Sequence, residues 1–367
     1  MSNLDVDKMK NANQILGIQD DLSIERNRNL IFIYSRPKVG STTLVSSLRI
    51  SASWRFTVSH IHNDRMLQVL HKIKDTTVME IIQYNRYLGK NVYVLDVYRS
   101  PIEQKISTFF ENIHSYHFNV PIEHLNTFDI QRVIKRFNEV FPYLSTNDHY
   151  RTKYDVEFPC QFDFTNKYIM AEKDGIKYYK IRLKDSADWG SLLKSIFNTD
   201  IYIVRDYETS KKPIHALYSS FKTHYQIPHN LFSMIEEDTN LVYYYSTQER
   251  SDYLNDWRRK MSHTTIKPFT QEEYKFYHQI ALENSYISEF QVDHYIDGGC
   301  LCIACRKKRR HVLSRLMKGE PIHDTIHHRE ASVQYLQEKI KTLPVYKRPK
   351  KQNAANIVKS NFFKTFS

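Results

Sequence analysis

The hydrophobic pattern changes period several times along the chain. Leu30-Ile31-Phe32-Ile33-Tyr34 is a continuous apolar run bounded by Ser35-Arg36-Pro37. A run of that length suits a strand buried on both faces of a parallel sheet. Directly after it, Leu44, Val45 and Leu48 repeat at helical spacing. Residues 55–62 predict a second strand, and Met66, Leu67, Leu70 and Ile73 a helix behind it. Residues 91–98 predict a third strand, which runs through Arg99 into another helix. The start of that helix has Ser100 at the N-cap, Pro101 at N1 and Glu103 at N3, the pattern of a capping box. Residues 177–183 and 201–206 predict two further strands, with a helix around Trp189 to Phe197 between them. Residues 120–175 read as helices and an irregular insert, residues 213–291 mostly as helix, and residues 1–28 as a short helix or arm. Strands alternating with helices in this order predict an α/β fold on a parallel sheet.

Composition adds bounds rather than identity. With 367 residues, 41% hydrophobic and 26% charged, the chain is long enough for one large domain with an appendage. No apolar run approaches the ~18 residues of a membrane-spanning helix. Residues 1–10 lack the apolar core of a secretory signal. Four cysteines do not make a disulfide scaffold, so a reducing, cytoplasmic setting is expected. Charge changes the picture more. Of 53 basic and 41 acidic residues, 16 and 4 lie in 306–367, so the net +12 belongs entirely to the last sixth of the chain. Asp297-Gly298-Gly299 marks a boundary near 292–298. The expected organisation is an arm at 1–28, an α/β domain at 29–292, and a Cys-containing basic extension at 293–367.

The loop after the first strand, Arg36-Pro37-Lys38-Val39-Gly40-Ser41-Thr42-Thr43, feeds a helix N-terminus. Unpaired N–H groups and the helix dipole make such a place a phosphate site. Gly40 would let the backbone approach an anion, Ser41 to Thr43 offer hydroxyls, and Lys38 brings charge. The spacing is neither a Walker A loop nor a dinucleotide-fold glycine fingerprint. A second motif, Arg99-Ser100-Pro101-Ile102-Glu103-Gln104-Lys105-Ile106-Ser107, lies at another strand-to-helix junction. An arginine fork followed by a hydroxyl suits a terminal phosphate.

Together the two motifs resemble the sulfotransferases that use 3′-phosphoadenosine 5′-phosphosulfate (PAPS). That family has a Pro-Lys-x-Gly-Ser/Thr-Thr loop after the first strand and an Arg-x-Pro-x-Glu-Arg-x-x-Ser segment later. Here Gln104 stands where the second pattern has Arg, and the Arg-to-Ser interval is intact. The local pattern is most similar to the Golgi carbohydrate sulfotransferases of the heparan sulfate 2-O type. Strong resemblance covers about 36–48 and 92–110, and weaker similarity of order and spacing extends to about 290.

The resemblance implies a P-loop-NTPase-like three-layer fold, a parallel sheet flanked by helices, with no metal needed for catalysis. It implies that Arg36 to Thr43 hold the 5′-phosphosulfate, with Lys38 at the catalytic lysine position, and that Arg99 and Ser107 hold the 3′-phosphate. A later basic loop often completes that site, and Lys211, beside Lys212, is the candidate here. The acceptor it implies is a hydroxyl, with a carbohydrate as the expected class.

Removing the acceptor proton needs a base. His60 and His62 end the second predicted strand, and residues i and i+2 face one side. Either imidazole suits proton abstraction near neutrality. Asp64 and Asp96 are lesser candidates. Tyr243-Tyr244-Tyr245 could stack on a sugar or form a buried face.

Cys300, Cys302 and Cys305, with His311, His323, His327 and His328 beyond them, admit a structural zinc site or free thiols. The run Arg306-Lys307-Lys308-Arg309-Arg310 could meet a polyanion or a membrane surface. Two rival functions follow from the same residues. One is an ATP-dependent kinase-like phosphotransferase. The other is a non-enzymatic nucleotide-fold adaptor whose tail binds a polyanion.

Overall fold

Runs of β-branched and aromatic residues form the strands that the periodicity predicts. The computed structural model describes residues 5–111, 113–118, 125–144, 148–157, 159–204 and 214–274. In it, β1 (Asn29–Tyr34), β2 (Thr57–Ile61), β3 (Asn91–Tyr98), β4 (Tyr168–Lys173) and β5 (Ile176–Arg182) make one sheet in the order β2-β1-β3-β5-β4. The β1–β2, β1–β3 and β3–β5 pairs are parallel, and β4 is an antiparallel edge. The architecture is therefore α/β, with a mostly parallel central sheet flanked by helices. Two-residue strands β6 (Ile227–Pro228) and β7 (Met261–Ser262) pair separately.

Alternation along the strands divides the core. Ile31, Ile33, Leu95, Val97 and Ile181 pack with Leu44 and Leu48 of the Ser41–Ala52 helix and with Trp189, Leu193 and Phe197 of the Trp189–Phe197 helix. The alternate residues include Tyr34, Asp96 and Lys180, all buried. Asp96 stands opposite Lys180 in the β3–β5 register. The polar N-terminal stretch is also packed down: Met9 and Ala12 of the Val6–Ile15 helix are buried, and Asn13 exchanges hydrogen bonds with Asn85.

Two sequence expectations change. Residues 201–204 join no ladder; instead the Tyr202 and Val204 amides donate to the Ser51 and Ser47 hydroxyls of the Ser41–Ala52 helix. Serines one turn apart on that helix satisfy a backbone that a sheet would otherwise have to pair. The irregular insert at 120–175 contains β4, joined to β5 by Asp174-Gly175, both with positive φ.

The chain forms two compact units. The first takes in the described residues of Met1–Gln104, Ser145–Glu208 and Met234–Arg259, the second those of Lys105–Leu144, Thr209–Ser233 and Lys260–Ser367. The first holds the sheet. The second has an aromatic core in which Phe137 meets Phe109, Phe221 and Tyr225 edge-on. Its buried Lys105 donates to the Phe141 and Leu144 carbonyls at 2.9 and 2.6 Å. Lys211 and Lys212, the boundary near 292–298, Cys300, Cys302, Cys305, the four later histidines and the basic run all lie outside the described residues.

Candidate functional site

The site is built where β1, β2, β3 and β5 end. After Tyr34 the chain turns through residues 35–40 into the Ser41–Ala52 helix. Gly40 is the N-cap and sits in the left-handed region at φ 91°. A Cβ there would stand 2.8 Å from Leu183 Cδ1 and 3.1 Å from Trp189 Cη2. Glycine is thus required twice, by its φ and by the closeness of the indole. It also offers the first helical turn no side-chain cap. The positive end of a three-turn helix is therefore left to an outside acceptor. Val39 and Ser41 are buried and pin the loop, while Arg36, Pro37, Lys38, Thr42 and Thr43 are half-buried.

The second motif reaches the first through Arg99. Its Nη1 donates to the Lys38 carbonyl at 2.7 Å. Lys38 itself has φ 66°, a left-handed conformation that costs a non-glycine residue energy and needs support. Arg99 supplies part of it. The helix after Arg99, Pro101–Glu111, is held at its start by side chains from far along the chain. Glu103 accepts from Tyr253 Oη at 2.9 Å and Trp257 Nε1 at 3.0 Å, rather than closing a box on Ser100. The Ile102 amide donates to Tyr253 Oη, and Tyr245 Oη to Ser100 Oγ. Ser107 is half-buried on the same helix and belongs to the second unit. Of the tyrosine run, Tyr244 is buried, stacks on Tyr98 at 4.3 Å and hydrogen-bonds Asp148, while Tyr243 donates to the Pro159 carbonyl. The run forms a packed face.

His60 and His62 meet edge to face, with ring centroids 4.5 Å apart. They differ in what surrounds them. His60 Nε2 is shut off from solvent and has no hydrogen-bond partner. Burial, then the nearby His62, Arg49 and His71, hold its pKa well below the ordinary histidine value. His62 Nδ1 lies 2.7 Å from the Ser35 carbonyl oxygen. A carbonyl only accepts, so Nδ1 carries the proton in the neutral ring and Nε2 is the basic nitrogen. Asp64 Oδ1 accepts from the Val78 amide at 2.8 Å, a structural use of that carboxylate.

Lys180, Asp148 and His149, none of them singled out from the sequence, complete the floor, and they enclose Asp96, the lesser base candidate, in an ion-paired cluster. Lys180 donates to both Asp96 and Asp148, and all three are buried. Burial lowers the Lys180 pKa by itself, but the two carboxylates outweigh it and hold it raised. Asp96 is pushed up to about 6 by burial, with Asp148 adding and Lys180 opposing. Arg36 lies near the same carboxylates; burial lowers its pKa and they work the other way. A guanidinium remains charged regardless. Next to Asp148, His149 places Nε2 2.8 Å from the His62 carbonyl. Its Nδ1 is buried without a partner, and burial, the largest cause, brings its pKa down to about 4.

A small cavity of about 30 Å³ opens between Arg36, Arg99, Asp148, Lys180, Asp238 and Asn240. That is room for a single water-sized group behind the loop. The second unit has a separate depression of about 560 Å³, lined in part by Lys135, Glu139, His224 and Lys267. No residue singled out from the sequence lines that depression. Chemically, the first unit's site joins a helix N-terminus, two guanidinium groups, a lysine and a tautomer-fixed imidazole. Compared with known protein families, curated proteins and solved structures, the chain matches none.

Proposed function

We propose that the protein is a PAPS-dependent sulfotransferase on a P-loop-NTPase-like sheet, acting on a hydroxyl, with a carbohydrate as the favoured acceptor class. The observation that carries this reading is the Arg99–Lys38 contact, which joins the two motifs at one sheet edge. Each motif alone suits an anion. Joined, they suit a ligand with two separate phosphate groups.

The uncapped first turn of the Ser41–Ala52 helix, the Ser41–Thr43 hydroxyls and Lys38 fit a 5′-phosphosulfate. Arg99 fits the 3′-phosphate. The donor supplies a sulfuryl group on a phosphate leaving group. Transfer breaks the bond from sulfur to the phosphate oxygen and forms one from sulfur to the acceptor oxygen. Lys38 would offset charge growing on the departing phosphate. His62 Nε2 would take the acceptor proton. His60 is less suited, because its Nε2 is buried and its charged form is disfavoured.

A thermal-shift titration tests this with 3′-phosphoadenosine 5′-phosphate (PAP), AMP, and ATP with magnesium. At ~100 times its dissociation constant a ligand stabilises the fold by about 2.7 kcal/mol. The expected outcome is a shift with PAP that AMP does not reproduce, strongly reduced in Arg99→Ala. A shift with magnesium ATP alone would favour a kinase-like phosphotransferase instead.

A further inference from the structure

The segment following Asp148 is a four-residue helix, His149–Thr152, with a tail running to Tyr154. It is too short to be stable by itself. Three side chains tie it down. Asp148 caps it through the Tyr150 amide and bonds Lys180 and Tyr244 on the floor. His149 reaches the His62 carbonyl, and its ring packs on Tyr34 at 5.0 Å. Tyr154 Oη donates to the Tyr34 carbonyl.

The acceptors of these bonds matter most. Tyr34 is the last residue of β1, and the carbonyl of Ser35, the next, accepts the His62 Nδ1–H hydrogen bond. One short segment therefore grips both the strand end that leads into the anion-binding loop and the backbone of His62. We propose that His149 is a positioning residue for His62: its Nε2–H holds the His62 carbonyl, so that the imidazole keeps Nδ1 on Ser35 and directs Nε2 as the base. This rests on the sulfotransferase reading for its catalytic meaning, while the hydrogen-bond relay itself does not.

The chemistry of His149 suits a donor that never changes state. Its neutral ring gives Nε2–H to a carbonyl, which leaves Nδ1 as a buried lone pair. Burial foremost, then the nearby Lys180 and Arg36, disfavour a second proton, with the bond to the His62 carbonyl and Asp148 working the other way. A lysine or arginine could donate the same bond but would add a charge to a floor that already holds Lys180 and Arg36.

The experiment separates the relay from the reaction. In two-bond ¹H–¹⁵N spectra of the wild type, His62 should be the Nδ1–H tautomer and His149 the Nε2–H tautomer. A mixed His62 tautomer in the wild type overturns the proposal. His149→Phe keeps a ring against Tyr34 and loses the donor; His62 should then become a tautomer mixture. His149→Gln restores an N–H donor and should restore the wild-type pattern.

The catalytic readout is PAP release with water as acceptor. There the bond from sulfur to the phosphate oxygen breaks and PAP leaves with its electron pair, the new bond forms from sulfur to the water oxygen, His62 takes a water proton, and sulfate is the second product. We expect kcat in His149→Phe to fall roughly 10- to 100-fold, the scale of a misplaced catalytic group, with KM for PAPS within about twofold. His149→Gln should recover to within about threefold. Equal losses in Phe and Gln variants would make His149 merely structural and overturn the role. Absence of PAP binding to the wild type would overturn the donor reading alone, because the tautomer spectra stand without it.

Discussion

Gly40 is the residue on which the loop depends most directly. Its left-handed φ and the 2.8 Å approach to Leu183 Cδ1 leave no place for a side chain. Gly40→Ala should cost about 1–3 kcal/mol in stability, measured by urea denaturation. It should also abolish the PAP-dependent thermal shift. A variant of wild-type stability would mean that the loop can move away from Trp189 freely. Arg99 acts at the same scale, since its guanidinium supports the Lys38 carbonyl and is also the proposed 3′-phosphate ligand. Arg99→Lys keeps the charge but loses the planar fork, so its PAP shift should remain well below that of the wild type.

Among the elements, the Pro101–Glu111 helix shows how a local signal can be reused. Ser100, Pro101 and Glu103 mark a helix start, and a helix begins at Pro101. The Glu103 carboxylate, however, is taken by Tyr253 and Trp257, both on the Thr247–Arg258 helix. A capping box is a weak exposed interaction, and two half-buried aromatic donors take its carboxylate instead. Glu103→Ala leaves those donors without an acceptor and should destabilise the chain by about 1–3 kcal/mol. PAP affinity, measured by calorimetry at 15 °C where the variant remains folded, should drop much less than in Arg99→Ala. A larger loss of affinity than of stability would give Glu103 a direct role at the ligand.

The elements also explain what was and was not legible. β1 is an almost continuous apolar run, β3 and β5 are rich in β-branched and aromatic residues, and the sequence marks all three within a residue or two. β4 was missed although Asp174-Gly175 is a strong hairpin signal between two β-rich runs. Lys, Asp and Glu around it hide the alternation, because an edge strand keeps one face in water. Residues 201–204 have strand composition without a strand, because hydroxyls of a neighbouring helix take up their amides.

At the scale of the first unit, acid sensitivity should come from histidines. His60, His71 and His149 all have lowered pKa values, with burial the largest cause in each. For His149 the folded value is about 4, against 6.5 ordinarily. Its contribution is complete above pH 6.5 and is lost as pH falls toward 4, up to about 3 kcal/mol. Asp96 runs the other way. Raised from 3.8 to about 6, it favours the fold below pH 4 and loses that contribution as pH rises through 6. Three histidines oppose one carboxylate, so the urea midpoint should fall between pH 7 and pH 5. His149→Gln should show a shallower fall. A midpoint that is flat or rising toward pH 5 would mean that the Asp96–Lys180–Asp148 cluster governs the acid response.

The sequence by itself determined the parallel α/β sheet, the loop with Lys38 and Gly40, the Arg99 motif and the pair His60 and His62. Each is carried by residue types at short, regular spacing, and period, turn chemistry and helix-start signals act over a few residues. Only the tertiary structure decided that Arg99 supports Lys38, that the His62 Nδ1 meets the Ser35 carbonyl while the His60 Nε2 is shut off from solvent, and that Asp148, His149 and Lys180 complete the floor. These links run from a side chain to a backbone carbonyl, or between charges that meet only after the strands align: Arg99 to Lys38, His62 to Ser35, His149 to His62, Tyr154 to Tyr34, Lys180 to Asp96. A carbonyl is the same at every residue, so no sequence pattern announces which one a distant histidine will find.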